Sequence, residues 1–191
     1  MAISIIEQTA RPFTADLLEL ARMTAEMGGC AEAHIVRAAD ALQSGNPELP
    51  RRVIREAARL AAQQRAIDQK CIETLATQQP VAMDLREIVA ILQIASNLAR
   101  IGELGTSVAR RAALLNARAI PRKTLQGIIH MTALVLDLLR EALDSYCHRD
   151  SRKAVTVRQR DQDLILRDGD AVFATRGVSG FTLTRPSLTV S

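Results

Sequence analysis

Apolar residues recur three and four positions apart through most of the chain, and that rhythm predicts amphipathic helices. From about Phe13 to Ser44 no proline interrupts, and Leu17, Leu20, Met23, Met27, Ile35, Ala38 and Leu42 mark one face. Gly28-Gly29 fall inside this stretch, each costing about 1 kcal/mol relative to Ala. Adjacent glycines in a helix mean close backbone packing or a bend. Ser44-Gly45-Asn46-Pro47 stops one helix and restarts another. The second stripe, Pro50 to Gln78, carries Val53, Ile54, Leu60, Ile67, Cys71 and Leu75. Its small centre (Ala57, Ala58, Ala61, Ala62) admits a close neighbour, and Pro80 ends it. The third, Val81 to Leu115, repeats Leu85, Ile88, Val89, Leu92, Ile94, Leu98, Ile101, Leu104, Val108 and Leu114 over about 50 Å of helix. Long helices joined by short turns must lie antiparallel, so residues 13–118 are expected to form an up-down-up three-helix bundle whose interior holds Leu85, Ile88, Leu92, Leu98 and Ile101.

Pro121 opens a second round. Leu125, Ile128, Met131, Val135, Leu138, Leu139 and Leu143 form a stripe, a polar break follows at His148–Ser151, and a polar helical run covers Ala154 to Leu166. Ala41-Leu42 corresponds to Ala142-Leu143, and Val53-x-x-x-Ala57 to Val157-x-x-x-Asp161, which reads as an internal repeat. The repeat is incomplete. Residues 121–167 supply two helices of a second bundle, while 168–191 bring Gly169, Gly177, Gly180, two of the three Phe and a Thr/Ser-rich end. That last segment is expected to be an irregular or disordered tail, or unrelated sequence in place of a sixth helix, as a frameshift or truncation would leave. The fold class is all-α, about five long antiparallel helices in tandem bundles with the second unfinished. The uncovered stripe of the fourth helix is expected to self-associate or to pack on the third helix.

Composition narrows the function. The 191 residues are 48% hydrophobic and 24% charged, ordinary for one globular domain or two small ones. Aromatic residues make up 2%, too few for stacking nucleic-acid bases and poor for a β-fold. The net charge of +4 is a solvated surface rather than a nucleic-acid footprint. Three Cys and three His, scattered and without a C-x-x-C, do not make a zinc site and fit a reducing cytoplasm. No stretch approaches a transmembrane span, so membrane insertion is not expected. Ser96 and Ser107 have no His within helical reach, no glycine-rich loop follows a strand, and no acid–base pair faces Arg86 or Arg100. An enzyme is not expected.

Three motifs carry a resemblance. Gln78-Gln-Pro-Val-Ala-Met-Asp-Leu-Arg-Glu-Ile88 resembles the R-Q-P-x-A-x-D-L-R-x-I that opens the third helix of PhoU proteins, regulators of the phosphate-specific transport system and its two-component sensor. Met27-Gly28-Gly29-Cys30-Ala31-Glu32 resembles that family's M-G-G-x-x-E, and Asn97-Leu-Ala-Arg100-Ile101-Gly102-Glu103 its D-L-E-R-I-G-D. The resemblance covers roughly residues 13 to 166. It implies PhoU-like tandem three-helix bundles, often homodimeric, with helix carboxylates holding multinuclear iron or other divalent metal clusters. It also implies a non-enzymatic negative regulator of phosphate uptake and signalling. Its partners would be the ATPase subunits of the phosphate ABC transporter and a membrane histidine kinase.

The family's E-x-x-x-D places two carboxylates on one helix face, aimed at one hard cation. Here those positions are Ala99 and Glu103; the preceding family Asp is Asn97, and the second-helix Asp and Glu fall at Ala57 and Gln64. The internal repeat points the same way, since Asp161 stands where the first half has Ala57. Glu103 and Asp161 are therefore the remaining candidate metal ligands, and amides and methyls in place of anions remove the attraction a multivalent cation needs. Glu32 either belongs to the ligand face or pairs with Arg37. The alternative to a regulator is a metal-free helical interaction module, or a non-functional truncated remnant of such a regulator.

Overall fold

The computed structural model describes residues 2–44, 46–78, 82–115 and 120–174, and the surroundings of side chains for 14–44, 46–77, 84–115 and 120–162. Five helices follow in order: α1 (Ala2–Ser44), α2 (Glu48–Gln78), α3 (Ala82–Leu114), α4 (Arg122–Cys147) and α5 (Ser151–Ala174). No strand occurs among the described residues.

The first three helices pack pairwise along seams with a heptad step. On α1 the seam runs through the buried positions Leu17, Leu20, Thr24, Met27, Ala31, His34, Ala38 and Ala41, alternating steps of three and four, with Gly28, Ala39 and Leu42 buried beside it. On α3 they are Ile88, Ile91, Ala95, Leu98, Gly102, Gly105, Ala109 and Ala112, and on α2 Val53, Leu60, Ile67, Cys71 and Thr74 keep the same phase. A strict 3.5-residue period keeps one stripe on its partner along the full helix, which is how three helices this long stay in contact. Glycines on α3 let partners reach the axis. A Cβ at Gly102 would lie 2.5 Å from Leu60 Cδ1, and one at Gly105 3.0 Å from His34 Cδ2. The α1–α2 turn is set by Asn46, whose Oδ1 accepts the Glu48 N–H at 2.9 Å in the manner of a helix cap.

Three expectations are corrected here. Leu85 is 44% exposed rather than interior, because the seam residue one heptad step before Ile88 is Asp84, leaving Leu85 turned about 100° away. Leu92 and Ile101 flank the seam, half-buried, while Ile88 and Leu98 lie in it. Helix α1 begins at Ala2 rather than near Phe13: once the turns downstream are packed, extension adds a hydrogen bond at each residue except the one Pro12 cannot donate, and needs no apolar face. Helix α5 runs past Arg167 to Ala174, since a single glycine at 169 weakens a helix without ending it. Residues 175–191, the rest of the segment expected to be a tail, lie outside the described residues.

The stripe on α4 is covered chiefly by α1 rather than by α3. Leu139, Leu143 and Tyr146 pack on the central cluster, and Leu125 and Ile128 on Ala41, Leu42 and Ala112. Gly28 is the contact point, since a Cβ there would meet Leu143 Cδ1 at 2.6 Å, whereas Gly29 faces open space. The glycine pair therefore marks close packing. Helix α5 packs on α4, tied by ion pairs between Lys153 and Asp144 and between Arg160 and Glu141. Their turn uses Arg149 with a positive φ of 52°, Asp150 Oδ1 caps α5 by accepting the Lys153 N–H at 3.0 Å, and the Arg149 guanidinium reaches Glu87 on α3 at 2.6 Å.

One described helix, Asp84–Leu114, is long and apolar enough by length and composition to cross a membrane, although Arg100 and Glu103 interrupt its apolar stretch. Its apolarity has a local cause, because α3 gives its seam to both α1 and α2 at the centre of the bundle.

Candidate metal centre and adjoining grooves

The two candidate ligands lie on different helices and face different surroundings. Glu103 stands on the outer surface of α3, its side chain 73% exposed and its carboxylate 3.7 Å from Arg100. Asn97 is exposed on the same helix, and Ala99 packs against the central cluster. On α2, Ala57 and Gln64 occupy half-buried seam steps between Val53, Leu60 and Ile67. Asp161 is exposed on α5, at the mouth of a groove shared with Ile101 of α3. Among the described residues, no three His, Cys, Asp or Glu side chains are grouped closely enough to hold an ion. Methyls at Ala57 and Ala99, amides at Gln64 and Asn97, and a carboxylate facing Arg100 are not a donor set for a multinuclear cluster of hard cations. The residues present do not fit the group that the family resemblance implies.

Neighbouring carboxylates are taken up by arginines. Glu32 accepts from Arg140 Nε of α4 at 2.8 Å rather than pairing with Arg37. The reason is helical phase: Glu32 is four residues from Gly28, on the face where α4 docks. Arg37 instead reaches Glu56 of α2, which also accepts from Arg52 Nε at 2.9 Å. The Arg52 hydrogen bond and the nearby Arg37 charge hold the Glu56 carboxyl below its usual range.

Sequence reasoning missed His34, whose position one heptad after Met27 was the available signal. It is 1% exposed, and its Nε2 lies 2.9 Å from Thr106 Oγ1. The Thr106 hydroxyl donates its single proton to the Gly102 carbonyl at 2.9 Å, so Nε2 must carry the proton toward Thr106. Burial lowers the His34 pKa, with Glu56 opposing and Arg37 reinforcing. The ring is a neutral, satisfied core group. Cys71 is buried, its thiol pushed up to about 11 by burial and the nearby Asp68, which leaves it a packing residue; Cys30 is half-buried and Cys147 exposed.

Two apolar cavities adjoin where the bundle meets the α4–α5 hairpin. The first, about 200 Å³, lies between Ile35 and Leu42 of α1, Leu104 and Val108 of α3, and Ile128 and Val135 of α4. The second, about 380 Å³, shares Ile101 and Val135 and continues between Leu138 and Ala142 of α4 and Val157 and Asp161 of α5. A polar cleft of about 430 Å³ between α1 and α2 holds the Arg37, Arg52 and Glu56 cluster. These features make surfaces suited to binding, while the Thr106 hydroxyl beside His34 is buried away from them in the helix seam.

Comparison with known proteins follows the same lines. Residues 24–112 match the PhoU domain. The chain is 37% identical over 163 residues to a protein of Rhizobium meliloti named phosphate-specific transport system accessory protein PhoU homolog, covering 85% of this chain and 67% of that one. A Caulobacter vibrioides protein of the same name is 31% identical over 159 residues, covering 83% and 69%. The crystal structure of PhoU from Pseudomonas aeruginosa superposes with a TM-score of 0.78 at 30% identity, covering 85% of this chain and 78% of that one. The phosphate transport system regulatory protein PhoU from Streptococcus pneumoniae shares the fold at the same TM-score of 0.78 with 23% identity, covering 87% and 78%. The chain spans about two thirds of the length of these two curated relatives. On motif order, sequence identity and helical architecture together, this chain belongs to the PhoU family.

Proposed function

We propose that the chain is a PhoU-type accessory regulator of phosphate transport, a binding protein rather than an enzyme. In this reading it works in the cytoplasm as a homo-oligomer. It restrains uptake through the ATPase of the phosphate ABC transporter and quiets phosphate signalling through a membrane histidine kinase. The observation that carries this is the 37% identity over 163 residues to a relative named as an accessory protein of the phosphate-specific transport system. Introducing the gene into a bacterial strain lacking its own PhoU tests it. A phosphate-starvation reporter should be silenced in high phosphate, and a reporter that stays fully induced at normal protein levels would refute the regulatory role.

A second reading is favoured by the donor set: a metal-free helical interaction module. Ala57, Gln64, Asn97 and Ala99 stand where the family pattern puts anions. We infer that any regulation here proceeds without a resident iron cluster, and no step of it is routed through Glu103 or Asp161. Elemental analysis of the purified chain should find well under one iron, manganese or zinc per chain. Two or more tightly held ions, lost together in Glu103→Gln and Asp161→Asn, would restore those carboxylates as ligands.

A further inference from the structure

The α1–α2 turn, the end of α3 and the start of α4 meet at one end of the molecule, around a cavity of about 350 Å³ lined in part by Asn46, Pro47, Leu114, Leu115 and Ile120. The net charge of the chain is only +4, but its distribution is uneven. Arg55 in the second turn of α2, Arg110 and Arg111 at the end of α3, and Arg122 and Lys123 at the start of α4 are all exposed here. None of them makes an ion pair with a described residue. At the opposite end the charges are matched. Lys70 meets Asp16 at 2.6 Å, Arg149 meets Glu87 at 2.6 Å, and Lys153 is paired with Asp144.

Two of these cations work against the helix that carries them. Arg122 and Lys123 are the first two residues of α4, whose first turn has no acidic residue and whose start has no side-chain cap. A helix N-terminus carries partial positive charge, so cations there are unfavourable for the helix itself. Two leucines stand beside them. Leu114 is 87% exposed, the highest value for a large apolar side chain among the described residues, and Leu115 next to it is 47% exposed. A single exposed leucine is ordinary, whereas a pair at a tip flanked by unpaired cations marks a contact surface.

We propose that this end of the molecule docks on an anionic lipid surface, with Leu114 and Leu115 entering the headgroup layer and the unpaired cations lying over lipid phosphates. This inference is independent of the regulatory reading above, since it needs only the distribution of charge and apolar surface. An anionic leaflet attracts clustered Lys and Arg that come within a Debye length of it. An acidic protein surface would satisfy the cations, but a bilayer also supplies an apolar layer just beneath its charge, where exposed leucines gain from burial. The contact is peripheral, with the bundle intact and no segment crossing the bilayer.

The test is sedimentation of the full chain with vesicles of equal parts phosphatidylglycerol and phosphatidylcholine, against vesicles of phosphatidylcholine alone. Binding to the first, weakened by salt, and none to the second is the expected result. Arg122→Glu with Lys123→Glu should lower the partition coefficient by at least about tenfold. Carboxylates suit the start of α4, so this variant keeps its helix content. Arg65→Glu with Arg86→Glu changes two exposed arginines far from this end and alters the net charge equally. It should leave binding within about twofold of the parent chain. Equal losses in both variants would overturn the proposal, because attraction would then follow net charge alone. Leu114→Trp places a tryptophan at an exposed site in a chain that has none, and its emission should shift to the blue on anionic vesicles. Unshifted emission with binding intact would overturn the docking geometry. Equal sedimentation with both vesicles would overturn the role of charge, and no sedimentation with either would overturn the proposal in favour of an acidic protein surface.

Discussion

Leu143 of α4 occupies the space that a side chain at Gly28 of α1 would need, with its Cδ1 2.6 Å from the position of that missing Cβ. The neighbouring Gly29 has nothing within 4 Å. Two glycines identical in sequence context are thus opposite in packing. Gly29→Ala should stabilise the protein by about 1 kcal/mol, the ordinary helix-propensity gain. Gly28→Leu should destabilise it by about 1–3 kcal/mol by forcing α4 off α1. Urea unfolding of the two variants checks the contrast, and equal shifts would mean α4 docks elsewhere.

Ile91 and Leu85 lie on one helix and differ in fate. Ile91 is fully buried at 0% and Leu85 is 44% exposed. Ile91→Ala should cost about 2–5 kcal/mol through lost burial and the cavity left behind. Leu85→Ala should change stability by less than about 0.5 kcal/mol, as surface substitutions do. Chemical denaturation midpoints at equal slope give both numbers.

His34 should impose a pH dependence. Burial holds its pKa below the ordinary value, so at mildly acid pH the unfolded chain binds a proton that the folded chain refuses. Its contribution to stability is fully present above the unfolded value of about 6.5 and is lost as pH falls through that value toward the folded one. Unfolding free energy should therefore decline on going from about pH 7 to pH 5. His34→Gln, which keeps a donor for Thr106, should flatten that decline, and an unaltered slope would place its origin in other groups.

Tyr146 is the single tyrosine and there is no tryptophan, so near-ultraviolet absorbance reports it alone. Its hydroxyl is buried without a hydrogen-bond partner among the described residues, and burial, with Glu87 nearby, pushes its pKa up to about 12. Spectrophotometric titration should show a midpoint well above the value of about 10 found once the chain is unfolded in urea. Tyr146→Phe should be neutral or slightly stabilising, because it removes a desolvated group that gains no bond.

The helices and their order were legible from the spacing of Leu17, Leu20 and Met27 on α1 and of Ile88 and Leu98 on α3. Periodicity defines a face, and a face needs only its own helix to be read. Which helix covers that face is a question of three-dimensional packing, and there the reading of α4 pointed to α3 or to a second copy instead of α1. The same limit applies to charge. Glu32 and Arg37 are close in sequence, yet one pairs with α4 and the other with α2, because they project from α1 in different directions. His34 was passed over because a polar residue in a seam interrupts the apolar pattern used to find the seam. Glu103 and Asp161 were singled out from residue identity alone, and only the packing shows that one lies on the outer surface of α3 beside Arg100 and the other on α5.

The principal attachment of the α4–α5 hairpin to the rest of the molecule is one interface with α1, supplemented by the reach of Arg149 to Glu87. The three-helix bundle is mutually braced, so opening any one of its helices disrupts at least two interfaces, whereas the hairpin can swing free by breaking chiefly one. Cooperative units held this way have opening free energies well below that of global unfolding. Amide protons of α4 and α5 are thus expected to exchange with solvent together and earlier than those of α3. The Gly28–Leu143 contact then acts as a latch, its strength setting how often the far half of the molecule is presented as a separate body.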